Sequence, residues 1–135
     1  MNKQIEKIIF DLDEMSLNSY FLRQKLDENS IHNKDLGYSI RVKCGVIKSL
    51  CTYFGNDLYG YSRFPGLIIK EGKNLEIGIN SSVIEVRNFF GEPDNQWNDG
   101  VEENMQFIVN DVRIEFSWYV DCSSVSLSYL LVEHQ

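Results

Sequence analysis

The chain has 135 residues, with thirteen Lys or Arg against twenty Asp or Glu, a formal net charge of −7 and a pI near 4.8. That length fits a single domain over 1–135, and 43% hydrophobic with 24% charged residues excludes wholesale disorder. The acidic balance excludes direct nucleic-acid binding, which needs a basic face, and no apolar run approaches the ~20 residues of a membrane span. The opening MNKQIEKIIFDLDEM carries acids inside its apolar stretch, so it does not read as a signal peptide. A cytoplasmic domain is the expectation.

In chain order, residues 1–30 read as helical. Ile5, Ile8, Ile9, Leu12 and Met15 recur at three- and four-residue spacing, and Leu17, Tyr20, Phe21, Leu22 and Leu26 continue it, with Ser16 as a candidate cap between two helices. SIHNKDLG reads as a loop. Residues 38–63 are ambiguous: YSIRVKC suits a strand, and VIKSLCTYFG suits a strand or a short helix. The aromatic residues Tyr53, Phe54, Tyr59, Tyr61 and Phe64 crowd this region and read as core.

From Phe64 the signals sharpen. FPGLIIKE and NLEIGIN form two strands around a turn at 71–74, with Leu75, Ile77 and Ile79 on one face. SSVIEVRNFFG is a helix, because Ser82 and Glu85 make a capping box and Gly91 with Pro93 ends it. Its packing stripe is Val83, Val86, Phe89 and Phe90. MQFIVNDVRIEFSWYV gives two strands turning at Asn110-Asp111, with Val112, Ile114, Phe116 and Trp118 alternating against Arg113, Glu115 and Ser117. In the last strand Val125, Leu127, Tyr129 and Leu131 share a face. The expected class is α+β: N-terminal helices, then over 64–132 a strand–strand–helix–strand–strand–strand unit. That unit makes a mostly antiparallel sheet of about five strands with one inserted helix.

Motifs for chemistry are sparse. There is no nucleophile elbow, phosphate loop, dinucleotide fingerprint or zinc-binding H-E-x-x-H. Cys44, Cys51 and Cys122 are odd in number and read as reduced, mostly buried thiols. The only histidines are His32 and His134, and His134 lies in a frayed end. Asp11 and Asp13 alternate around the expected helix and face water. The run from Asp94 to Gly100 imitates a calcium loop, but its glycine falls late and its twelfth position is Met105 instead of a bidentate glutamate. No catalytic residue, metal site or cofactor is expected.

Charge position is more informative than total charge. Residues 1–48 sum to +1 and residues 49–135 to −8. Between Glu92 and Asp121 eight acids (Glu92, Asp94, Asp99, Glu102, Glu103, Asp111, Glu115 and Asp121) face one base, Arg113. A focused negative field steers a basic partner and raises its association rate. Trp97, flanked by these acids in a segment of turn composition, is either an interface anchor or a cover for the sheet edge. These eight acids and Trp97 are the candidate partner-binding residues.

The strand NLEIGIN, the capped helix SSVIEVRNFFGEPD and the strand pair MQFIVNDVRIEFSWYV together resemble the immunity proteins of bacterial contact-dependent inhibition and other polymorphic toxin systems. The resemblance covers about a third of the chain. It implies a cytoplasmic protein that binds one cognate toxin and blocks its active site. Many such toxins are nucleases with basic clefts, into which inhibitor carboxylates fit in place of phosphates. A non-catalytic adaptor whose acids are only a solvated face is the alternative. Less favoured is a small enzyme using Asp94, Asp99, Glu102 or Glu103.

Overall fold

The computed structural model describes residues 8–55, 59–121 and 124–135. The fold is built from sheet, and this overturns the expected class: two sheets of five and seven strands replace the N-terminal helices, and the described residues contain one short helix. Ile5 and Cys122 lie outside the described residues.

Where helices were expected, the chain runs through β1 (Ile9–Asp11), β2 (Ser16–Leu17) and β3 (Tyr20–Phe21). The apolar residues that mimic a helical stripe are spaced by tight turns instead. Asn18 and Ser19 take φ of 48° and 72°, and Leu17 pairs with Tyr20, a two-residue hairpin turn with both φ positive. Phe10, Leu12 and Leu17 are buried by this folding. Asp11 is half-buried and Asp13 exposed, and both are structural. Asp11 Oδ1 accepts from the backbone N–H of Asp13 and Glu14, and the Asp13 carboxylate accepts from Glu71 N at 2.7 Å and Gly72 N at 2.9 Å. Those two backbone bonds hold the Asp13 carboxyl below its usual range.

SIHNKDLG is in part β4 (Ile31–Asn33), paired with β5 (Tyr38–Lys43). A two-residue turn at Cys44-Gly45 leads into β6 (Val46–Tyr53), with Lys43 opposite Val46 and φ of 53° and 73° at the turn. The ambiguous middle is therefore strand over 38–43 and 46–53. Residues 23–26 cross from the small sheet and bond to the start of β6, with Arg23 N on Ile47 O and Ile47 N on Gln24 O.

β7 (Leu67–Lys70) and β8 (Lys73–Leu75) turn through Glu71-Gly72. The strand stops at Leu75, so Ile77 and Ile79 lie in the connection to α1 (Val83–Phe90). The Ser82–Glu85 capping box is present, and Gly91 N–H bonds to Arg87 O. Of the expected stripe, Val86 is buried and Val83 and Phe90 pack on the core, whereas Phe89 is exposed. β9 (Asn95–Asn98), β10 (Glu102–Val109), β11 (Val112–Asp121) and β12 (Ser124–His134) complete the chain. His134 therefore ends a paired strand, opposite Val112, and is not frayed.

The small sheet is ordered β3-β2-β1-β7-β8, with β1 and β7 parallel; the large one is β4-β5-β6-β12-β11-β10-β9, antiparallel throughout. One core joins both sheets and α1. It includes Phe10, Leu17 and Ile68 from the small sheet, Val86 from the helix, and Ile40, Leu50, Phe116 and Trp118 from the large sheet. Phe90 packs on Phe107 and Phe116 at 5.2 and 5.1 Å between ring centroids, and Trp118 Nε1 donates to Ser81 O at 2.7 Å. The face of β12 changes phase part-way along. Ser117 pairs with Tyr129 but Trp118 pairs with Leu127, so a bulge at Ser128 puts Leu127, Leu130 and Val132 in the core and turns Tyr129 and Leu131 to the other side. This corrects the expected single face of Val125, Leu127, Tyr129 and Leu131.

Candidate functional site

Register fixes what lies on the large sheet's second face, because residues directly opposite in a ladder point the same way. One row reads Asn95, Gln106, Glu115, Leu131, Cys51, Ser39, His32 across all seven strands. The next row reads Trp97, Asn104, Ser117, Tyr129, Tyr53. Core-facing positions of the same strands are Met105, Phe116, Leu130 and Leu50, so alternation alone sorts polar from apolar. The second face is thus mostly polar and rich in tyrosine, with Asn104, Ser117, Glu115 and Cys51 buried on it.

Its centre is knitted by side-chain hydrogen bonds. Glu115 is only 8% exposed; it accepts from Gln106 Nε2 and, at 2.8 Å, from the Tyr129 hydroxyl. Arg113 lies beside it and bonds to Glu133 at 3.2 Å. Tyr53 stacks on Tyr61 at 4.0 Å, its hydroxyl meets Ser39 Oγ at 3.0 Å, and Tyr61 meets His32 Nδ1 at 2.7 Å. Burial pushes the Cys51 thiol up to about 12, and burial also raises Tyr53 and Tyr129, the latter reinforced by its bond to Glu115. At neutral pH these groups are therefore protonated hydrogen-bond donors. His32 and Cys51 stand two strands apart with Ser39 between them, about 10 Å at normal strand spacing, which is too far for a thiolate–imidazole pair. Of the other cysteines, Cys44 is exposed in its turn.

Two hollows indent this face. One, of about 350 Å³, lies between Ser39, Ser49, Cys51, Tyr53 and Tyr129, with His32 and Glu133 on its margin. The second, of about 520 Å³, is lined by Tyr59, Val101, Glu102, Tyr119, Ser128 and Tyr129, among others. Two of its lining side chains are large and exposed, Tyr59 at 73% and Tyr119 at 52%; Trp97, 43% exposed, lies one row away on the same face and does not line it.

The nine candidate residues do not form one patch. Glu102 and Tyr119 are paired across β10 and β11, Trp97 sits one row away on the same face, and Asp121 ends β11 at the same edge. Asp99 is at that end too, where its carboxylate accepts from Val101 N at 2.9 Å and Glu102 N at 2.7 Å, bonds that hold its carboxyl below the usual range. Trp97, Asp99, Glu102 and Asp121 thus gather at one end of the sheet. Asp94 and Asp111 belong to the opposite end of β10, about 24 Å along a strand of this length. Asp94 there receives Ile108 N, and Asp111 lies 3.7 Å from Arg23. Glu103, next to Glu102 in sequence, points to the helix side and meets Gln96 at 3.3 Å, which is in turn bonded by Arg87. Glu115 is buried in the network just described, and Glu92 is exposed just beyond α1. Trp97 lies on an edge strand rather than in a loop.

Sequence reasoning missed Tyr119, Tyr129 and Val101, and it expected Tyr59, which is exposed, in the core. For Tyr119 a signal existed: the alternation that puts Trp118 in the core puts Tyr119 on the face of Arg113 and Glu115.

Among the described residues, no group of three His, Cys, Asp or Glu side chains is placed to hold a metal ion, and no helix is long and apolar enough to cross a membrane. No family model, curated protein or solved structure matches the chain.

Proposed function

We propose that this chain is a non-catalytic immunity protein of the cytoplasm, which neutralises a cognate bacterial toxin by occupying its basic active-site cleft. One observation carries the reading. At one end of the large sheet Trp97 and Tyr119 are exposed near Glu102, Asp99 and Asp121, and Tyr119 and Glu102 line a hollow. Tryptophan and tyrosine are the side chains that most often anchor protein interfaces, and a surrounding negative field draws in a basic partner. Carboxylates at such a surface stand where phosphate oxygens would sit in a nuclease cleft and meet its Lys and Arg through charge-assisted hydrogen bonds. Of the eight candidate acids, Asp99, Glu102 and Asp121 stand at this end. Asp94, Asp111, Glu103 and Glu115 are engaged in a turn, an ion pair, a side-chain bond or the buried network, and exposed Glu92 follows α1, two residues before Asp94.

The test is co-expression with the C-terminal domain of the protein encoded beside this chain. Growth rescue and co-purification are expected, with affinity that falls as salt rises, since the attraction between exposed charges is screened. A neighbouring domain that is neither bound nor toxic, or that is toxic yet neither bound nor neutralised, overturns the proposal.

A further inference from the structure

The 520 Å³ hollow has a lining of unusual chemistry. Tyr59, Tyr119 and Tyr129 contribute aromatic rings, Val101 an aliphatic wall, and Ser128 a hydroxyl. Glu102 is the one charged side chain among the described lining residues; no Lys, Arg or His joins it. Glu102 and Tyr119 face each other across adjacent strands, so the carboxylate and one ring are held side by side by the ladder itself. Tyr129 is anchored from behind by its bond to Glu115, and its raised ionisation keeps its ring neutral. Several neutral aromatic rings with one carboxylate form the environment that attracts a cation, since each ring face carries negative electrostatic potential and the carboxylate supplies a full charge.

We propose that this hollow receives a single arginine side chain of the partner, its guanidinium lying among Tyr59, Tyr119 and Tyr129 and paired with Glu102. Arginine suits the site better than lysine, because a planar guanidinium stacks on aromatic rings while its fork of N–H donors grips a carboxylate. The identity of the partner rests on the toxin-binding reading given above; the cation preference of the hollow rests on its lining alone.

The probe is L-arginine amide, titrated into the full chain and followed by the backbone amide shifts of Glu102, Tyr119 and Ser128. The control is L-citrulline amide, which keeps the shape and removes the charge. Saturable shifts with arginine amide are expected, with at least fivefold weaker binding for citrulline amide, and the same loss for arginine amide on Glu102→Gln or Tyr119→Leu. Both positions are exposed, and circular dichroism confirms that the variants fold. Absence of saturable binding, equal binding of the two probes, or unchanged affinity in both variants overturns the proposal. The two readings fail separately. If arginine amide saturates the hollow while the neighbouring toxin is not neutralised, the toxin reading falls and the cation site stands. If the toxin is neutralised while arginine amide does not bind, the cation site falls alone.

Discussion

Replacing Trp118 by Phe tests how the helix connection is tied to the large sheet. Trp118 is fully buried, its ring stacks on Phe116 at 5.9 Å, and its Nε1 donates to Ser81 O at 2.7 Å. Phenylalanine keeps a ring at the site but removes the donor, leaving the carbonyl of buried Ser81 without this partner. A buried carbonyl stripped of its partner costs about 1–3 kcal/mol. The smaller ring also leaves unfilled space in a close-packed core, which adds about 1 kcal/mol. The combined loss is about 2–4 kcal/mol. At about 3–4 °C per kcal/mol for a chain of this size, the midpoint of thermal unfolding falls by about 6–16 °C. Urea unfolding followed by far-ultraviolet circular dichroism measures the loss directly, and the denaturant slope should not change. The variant also isolates fluorescence from Trp97, the other of the two tryptophans, whose emission should be that of a half-exposed indole. A loss below about 0.5 kcal/mol would refute the argument, because surface substitutions commonly fall within that range.

Three further outcomes follow from the packing. A Cβ at Gly66 would lie 2.1 Å from Ile8 O, where β1 meets β7, so Gly66→Ala should destabilise by about 2 kcal/mol or more in urea unfolding; a neutral result contradicts the contact. Ser82→Ala removes the capping box and should cost about 1 kcal/mol in the same assay, with Ser82→Thr close to the native chain. Cys51, Tyr53 and Tyr129 all titrate higher folded than unfolded, so the unfolded chain binds fewer protons above pH 9 and stability falls as pH rises from there. The urea midpoint should drop between pH 8 and 11, with a shallower drop in Cys51→Ala; a flat profile contradicts the assignment.

What could be read in the sequence divides along physical lines. Long strands with strict alternation were legible. Val112, Ile114, Phe116 and Trp118 went to the core, and Asn110, at φ 56°, turns the hairpin. The capped helix was legible because its signals are local hydrogen bonds between Ser82 and Glu85. The N-terminal region was not, since strands of two or three residues are too short to show a period of two, and their turns space apolar residues as a helix does. Asn18-Ser19 was the signal that outweighs that spacing. β9 was hidden because an edge strand of four exposed residues, Asn-Gln-Trp-Asn, has the composition of a turn. The bulge at Ser128 moved Tyr129 from the expected core face to the polar one, and no alternation pattern announces such a slip. For the candidate site, the position of each acid along the chain was there to be read. Their division between the two ends of β10 was not, since it depends on pairing register.

The central claim is that the end of the sheet bearing Trp97, Tyr119 and Glu102 is the surface that holds a basic toxin. Titration calorimetry of the chain against the C-terminal domain of the protein encoded beside it, native beside a Trp97→Ala/Tyr119→Ala double variant, tests it most directly. Both side chains are exposed, so the variant should keep the native circular dichroism spectrum. The account predicts tight binding by the native chain and at least a hundredfold loss in the variant, as for two anchors worth about 2 kcal/mol each with partial additivity. Equal affinity of the two proteins for the toxin would contradict it.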